Sequence, residues 1–312
     1  MEAKKIRSYK AGLIAMPSEA SNNLRIKGKY FLVKFLKVNQ IKSFIDGYEV
    51  IISTNSYQNA RKVLQLIAAS IALLEGGAYF TLDSLPNLIP LQKDNEKVPN
   101  KFYGDSLSSF SGIPKAIMLA AKASFHSKIT LSLLKYQLGC ELHSNNMMDL
   151  YPEYFKLSKN PADHLRIAYA IILFYSVIEE LNLEIRASEK NPSKIDGKWN
   201  PVVKNSLEKR LVKSKINIYD KLIWHLRSTP TKIERLKKPM VGIKSEWASF
   251  SIRDSEIDIF EAILYASWLR SKIASHKLNA AFTSLSIYDV ANINFLVRYL
   301  LLNILDKQKF ER

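Results

Sequence analysis

The chain has 312 residues, with 46 Lys and Arg against 29 Asp and Glu, which gives a formal net charge of +17. An apolar content of 47% is enough for packed cores and excludes general disorder, and the length favours two domains over one. The single cysteine, Cys140, excludes an internal disulfide and a cysteine-rich zinc site.

The hydrophobic segments predict a soluble, cytoplasmic protein that does not associate with a membrane. The apolar run at residues 11–16 is too short for the core of a signal peptide. The longest apolar stretches, 63–74 and 168–178, are shorter than the roughly 20 residues that a membrane-spanning helix needs. One unpaired cysteine is also compatible with a reducing compartment.

Residues 1–140 predict a mixed α+β domain, to which the sequence assigns no role. Apolar residues alternate with polar ones in some stretches and recur at helical spacing in others. The predicted strands are 24–38, 47–54 and 78–84, and the predicted helices are 56–77 and 114–139. The intervening residues 85–113 are rich in Pro, Gly and Ser and predict a loop.

Residues 141–312 predict a helical bundle, so the expected fold class is α+β overall with an all-α C-terminal part. The predicted helices are 160–188, 201–213, 218–227, one starting at about Ser255, and one that opens at 286–289 and runs to 305. Asn160 and Pro161 supply a cap and a first-turn proline for the first of these helices.

Positive charge is concentrated in residues 201–244, which contain 12 Lys and Arg against 3 Asp and Glu. Such an excess attracts polyanions, of which nucleic acid is the commonest. The basic, proline-bounded segment 227–239 supplies candidate contacts to RNA phosphates: Arg227, Lys232, Arg235, Lys237 and Lys238. The alternative is a solvated loop in a protein that is rich in lysine throughout.

Arg270 and His276, in the stretch FEAILYASWLRSKIASHKLN, are the candidate catalytic residues. Histidine titrates near neutral pH and can transfer protons, and the guanidinium fork matches phosphate oxygens. RNA carries its own nucleophile, the 2′-hydroxyl, so proton transfer and charge stabilisation are sufficient for cleavage. The alternative is two ordinary residues of a helix, with His276 favoured by the negative end of the helix dipole.

The spacing of the pair raises a geometric difficulty. On an ideal α-helix, an offset of six residues leaves two side chains about 120° apart and about 9 Å apart along the axis. The two groups then share a site only if Arg270 reaches across, if the helix ends before His276, or if two chains contribute their pairs to one interface.

Residues 160–310 resemble a HEPN domain, and within that family the Apea-like group. The resemblance is carried by the long helix AYAIILFYSVIEELNLEIRAS, by LRSKIASHKLN, which fits the pattern of an arginine followed after four to six residues by a histidine, and by SIYDVANINFLVRYLL. It implies a metal-independent endoribonuclease that works as a homodimer and leaves a 2′,3′-cyclic phosphate and a 5′-hydroxyl. Family members often act in toxin–antitoxin or anti-phage defence systems, so a protein partner or an antitoxin is expected as well as RNA.

Three further residues are candidates for supporting roles. Ser271 occupies the position after the arginine, where the family often has Asn, Asp or His, and a serine at this position can still hydrogen-bond a phosphate. Glu179 or Glu180 would orient Arg270 or His276, and the alternative is an ion pair with Arg186 or another cation.

No motif for a metal or a cofactor is present, so neither is expected. The competing interpretation of the C-terminal part is a non-catalytic HEPN-like module for dimerisation or RNA binding.

Overall fold

The structure, a computed structural model, divides into two compact units. The first unit is Met1–Ser144 with Gln308–Arg312, and the second is Asn145–Lys307. The described residues are 6–15, 23–42, 45–78, 81–91, 107–109, 112–143, 161–226, 243–244, 253–274 and 287–307.

The first unit contains a mostly antiparallel sheet. Its strands are β1 (Arg7–Ala15), β2 (Asn23–Lys27), β3 (Leu32–Lys42), β4 (Ile45–Thr54), β5 (Ile89–Pro90) and β6 (Leu107–Ser109). The strand order is β2-β3-β4-β1-β5, and the short β6 runs parallel to β1. The single strand expected at 24–38 is therefore a hairpin, because the chain turns at Gly28–Phe31 with a hydrogen bond from the Gly28 N–H to the Phe31 carbonyl at 2.9 Å.

Three helices pack in this unit: α1 (Tyr57–Glu75), α2 (Ile113–Ala123) and α3 (Ser127–Leu142). The predicted helix at 56–77 is confirmed, with Ser56 as the cap that accepts the Asn59 N–H and Gly76 in the left-handed region at φ 80°. The helix predicted at 114–139 is two helices, since the chain breaks at Ser124–His126. The strand predicted at 78–84 is wrong where it is described, because residues 81–84 form a turn.

The second unit contains the helices α4 (Pro161–Glu180), α5 (Pro201–Lys213), α6 (Ile259–Trp268) and α7 (Ile287–Asp306). A π-helical segment, Leu269–Ala274, continues α6. Helix α7 packs on α4, and its buried residues include Val290, Ile293, Val297 and Leu301 at helical spacing. The predicted helix at 201–213 is confirmed as α5, which is capped by Asn200 and has a proline in its first turn.

Helix α4 ends eight residues earlier than the sequence pattern predicted. Asn182 adopts a positive φ of 57°, the Leu183 N–H bonds the Ile178 carbonyl at 2.9 Å, and the Asn182 N–H bonds the Glu179 carbonyl at 2.9 Å. This is the Schellman pattern, which satisfies the last carbonyls of a helix. Leu183, fully buried, supplies the apolar contact that accompanies the motif.

The second unit also contains strands. A hairpin joins β7 (Lys194–Ile195) to β8 (Lys198–Trp199), and a sheet in the order β10-β11-β9 is formed by β9 (Lys221–Leu226), β10 (Ile243–Lys244) and β11 (Arg253–Asp258). The helix predicted at 218–227 is wrong, because Trp224 points inward while Ile223 is exposed, which is the alternation of a strand.

The α+β class is thus confirmed for the chain as a whole, and the expectation of an all-helical C-terminal part is corrected. In the described ranges, no helix is long and apolar enough to cross a membrane.

Candidate functional site

The π-helical segment carries two of the predicted site residues, Arg270 and Ser271. A π-helix forms hydrogen bonds from residue i to i+5 and is rare. It occurs mostly as single turns inside α-helices, and these turns are frequent at functional sites. The predicted offset between Arg270 and His276 was calculated for an ideal α-helix, and that geometry does not hold from Leu269 to Ala274. His276 lies outside the described residues.

Arg270 is held by two residues of α4 that lie one turn apart. Its guanidinium is 3.5 Å from Glu179 Oε1, and both side chains are a little over 40% exposed. The same guanidinium lies over the ring of Tyr175, 5.9 Å from the ring centroid. Spacing of i and i+4 places Tyr175 and Glu179 on the same face of the helix. The cation thus rests on an aromatic ring beside a carboxylate, with much of its surface open to solvent.

Tyr175 itself is buried and neutral. Burial raises its pKa, and the charges of Glu179 and Glu184 raise it further, against the opposing effects of a hydrogen bond with Ser267 and the charge of Arg270. A neutral ring with its hydroxyl engaged is a fixed platform for the guanidinium. Sequence reasoning missed Tyr175, because its position four residues before Glu179 is equally typical of a core aromatic residue.

A second group of charges lies just beyond the end of α4. Arg210, on α5, donates to the carbonyl oxygens of Asn182 and Glu184 at 2.7 and 2.8 Å, and lies 3.6 Å from the Glu184 carboxylate. Arg186 Nε is 2.5 Å from the same carboxylate. Burial lowers the pKa of Arg210, and its contacts tie α5 to the turn that ends α4.

Of the other predicted residues, the structure describes the three supporting ones but not the five cations proposed to contact RNA. Ser271 Oγ lies 3.4 Å from the Trp268 carbonyl oxygen, to which it donates. Glu180 is half-buried at the last position of α4, while Glu179 forms the pair with Arg270. The five cations proposed to contact RNA, Arg227, Lys232, Arg235, Lys237 and Lys238, lie outside the described residues.

Among the residues that the structure describes, no three His, Cys, Asp or Glu side chains lie close enough to hold a metal ion. The arrangement around Arg270 offers a partly exposed guanidinium with N–H donors that can reach a phosphate, and a carboxylate that competes for the same donors.

The chain matches no protein-family model, no curated protein and no solved structure.

Proposed function

We propose that the second unit is a HEPN-like, metal-independent endoribonuclease that acts as a homodimer, with Arg270 and His276 as its catalytic residues. The observation that carries this proposal is the placement of Arg270, which lies half-exposed in a π-helical turn and contacts Tyr175 and Glu179. In the sequence, Arg270 precedes His276 by six residues. A cation that is fixed but accessible is suited to a phosphate, because it loses little conformational freedom on binding.

The proposed reaction is attack of the ribose 2′-oxygen on the adjacent phosphorus. A P–O2′ bond forms and the P–O5′ bond breaks, which yields a 2′,3′-cyclic phosphate and a 5′-hydroxyl. His276 in its neutral form takes the proton of the 2′-hydroxyl, and a histidine in its protonated form gives a proton to the leaving 5′-oxygen. Arg270 stabilises the charge that develops on the phosphate oxygens.

A twofold dimer supplies two imidazoles, one for each proton transfer, since each chain contributes one copy of His276. The homodimer is therefore part of the proposal. Growth arrest in a toxin–antitoxin or anti-phage defence system, with an antitoxin or other protein partner, is the cellular role that this activity fits.

The test is incubation of purified wild-type protein with total RNA beside Arg270→Ala and His276→Ala. Both variants should lose cleavage and keep the melting temperature within a few degrees, because an ion pair as exposed as Arg270–Glu179 contributes at most about 1 kcal/mol. Lys62→Ala, an exposed cation on α1, is the matched control and should cleave normally. New 5′ ends should accept phosphate from polynucleotide kinase without phosphatase treatment, and a chelator should not slow the reaction. Cleavage by both variants at the wild-type rate would exclude the proposed catalytic pair.

A second candidate is a non-catalytic HEPN-like module for dimerisation or RNA binding. The observation that favours it is that Glu179 already neutralises Arg270 and that Ser271 donates to a backbone carbonyl. Under this proposal RNA affinity falls steeply with salt and survives His276→Ala, and no product forms at any pH. A 5′-hydroxyl product that depends on His276 would exclude it.

A further inference from the structure

In the sheet of the first unit, one face is covered and the other carries positive charge at its β2–β3 edge. The covered face is formed by the buried residues Ile26, Val33, Phe35, Val50 and Ile52. On the opposite face, Arg25 and Lys27 of β2 and Lys34 of β3 are exposed, and exposed Lys29 follows in the connecting turn. These four cations are called the basic edge patch.

The pairing register places like charges directly opposite each other. Arg25 pairs with Lys34 across the two strands, so their Cβ atoms are about 5 Å apart, a separation at which like charges destabilise a sheet. Within the described parts of the chain, no carboxylate pairs with any of the four cations. Glu49, on the same face, already forms an ion pair with Lys10 of β1. The patch therefore retains a concentrated positive charge that an external anion would offset.

The turn beside the patch holds an aromatic ring in a fixed position. Tyr30 is 42% exposed and its ring meets the ring of Phe31 edge-on, with centroids 5.4 Å apart. Phe31 is buried and packs so closely on Gly28 that a Cβ there would lie 2.4 Å from its ring. The Lys29 N–H donates to Ser124 Oγ at 2.9 Å, which anchors the turn to the end of α2.

We propose that the basic edge patch and Tyr30 form a binding surface for single-stranded nucleic acid. Cations two residues apart on a strand are about 6.8 Å apart, and together with the neighbouring strand they form a compact band for consecutive phosphates. Tyr30 distinguishes this ligand from an acidic polypeptide, since an exposed ring beside cations is what stacks on an unpaired base. The surface does not depend on cleavage by the second unit and would act equally in a protein that only binds RNA.

The test uses the full chain and a short, fluorescent 2′-O-methyl RNA oligonucleotide. This probe lacks the 2′-hydroxyl nucleophile, so binding is measured without cleavage. Arg25→Gln/Lys34→Gln should lower the slope of log affinity against log salt by about 1.4 and weaken binding about 25-fold at about 0.1 M salt, since each single-strand phosphate contact contributes about 0.7. Tyr30→Leu should weaken binding at least about fivefold and leave the slope unchanged.

The matched control is Lys62→Gln/Lys128→Gln, which removes the same charge from exposed lysines of α1 and α3 and should leave both affinity and slope near the wild-type values. The sheet variant should melt no lower than the wild type, because it relieves a like-charge pair. Equal weakening by the two double variants would show a general charge effect and overturn the proposal. Unchanged oligonucleotide binding, with loss of binding to polyglutamate, would overturn it in favour of an acidic protein partner. This binding measurement is independent of RNA cleavage, because the probe cannot be cleaved. It therefore stands whether or not the wild type cleaves RNA and whether or not Arg270→Ala loses cleavage.

Discussion

The carboxylate of Glu261 joins the β7–β8 hairpin to the helix that carries Arg270. It accepts hydrogen bonds from Lys194 Nζ at 2.8 and 3.0 Å, one on each oxygen, and from Trp199 Nε1 at 2.7 Å. The side chain is only 18% exposed, and its backbone N–H is capped by Asp258 at 2.8 Å. Glu261→Gln removes the charge and puts an amide donor where the carboxylate accepted hydrogen bonds.

The expected loss is about 3 kcal/mol of unfolding free energy. Hydrogen bonds to charged groups contribute about 1.5–3 kcal/mol each. A glutamine oxygen can still accept from Lys194 and Trp199, but both bonds lose the carboxylate charge and the contact of Lys194 with the second oxygen is lost. For a unit of this size, about 1 kcal/mol corresponds to about 2–4 °C in melting temperature, so Glu261→Gln should melt about 6–12 °C lower. Circular dichroism melts and urea titrations measure both quantities.

Glu256→Gln is the matched control, because its pair with Lys221 is 3.7 Å long and both side chains are over 60% exposed. Such a pair contributes about 0–1 kcal/mol, so this variant should melt within about 4 °C of the wild type. Equal losses in the two variants would refute the reasoning that burial and the Trp199 contact make the Glu261 carboxylate important.

Gly28→Ala should lower the unfolding free energy by about 1–3 kcal/mol in urea titrations, because the new methyl would overlap the buried ring of Phe31. Tyr265→Phe should cost about 1.5–3 kcal/mol in the same assay, since the hydroxyl donates to the buried Asp289 carboxylate at 2.8 Å. Burial lowers the pKa of His143 from 6.5 to about 4. The unfolded chain therefore binds a proton that the folded chain does not between these values, and stability should fall by about 3 kcal/mol as pH drops through that window. Melts across this pH range should show a shallower fall for His143→Leu, and an identical fall would contradict the assignment.

Only part of the charge cluster near Arg270 could be predicted from the sequence. Arg270 and Glu179 were both identified as candidates from sequence. An arginine close to a histidine suggests phosphate chemistry, and a carboxylate on another helix can pair with the arginine. Tyr175 was not identified, since an aromatic residue at helical spacing is indistinguishable from core until its neighbours are known. The π-helical turn was also beyond the sequence pattern, which assumed the regular α-helical spacing.

Local signals determined several elements outright. Ser56 and Gly76 bound α1, and Asn200 and Pro201 open α5, because a cap or a stop depends on a few adjacent residues. Tertiary structure decided the rest. The short apolar run of β9 suits a helix or a strand by composition, and pairing with β11 makes it a strand. Likewise, lysines alternating along 24–38 indicated a half-buried strand, but only the register of β2 against β3 brought Arg25 opposite Lys34, because cross-strand contacts depend on residues that are distant in sequence.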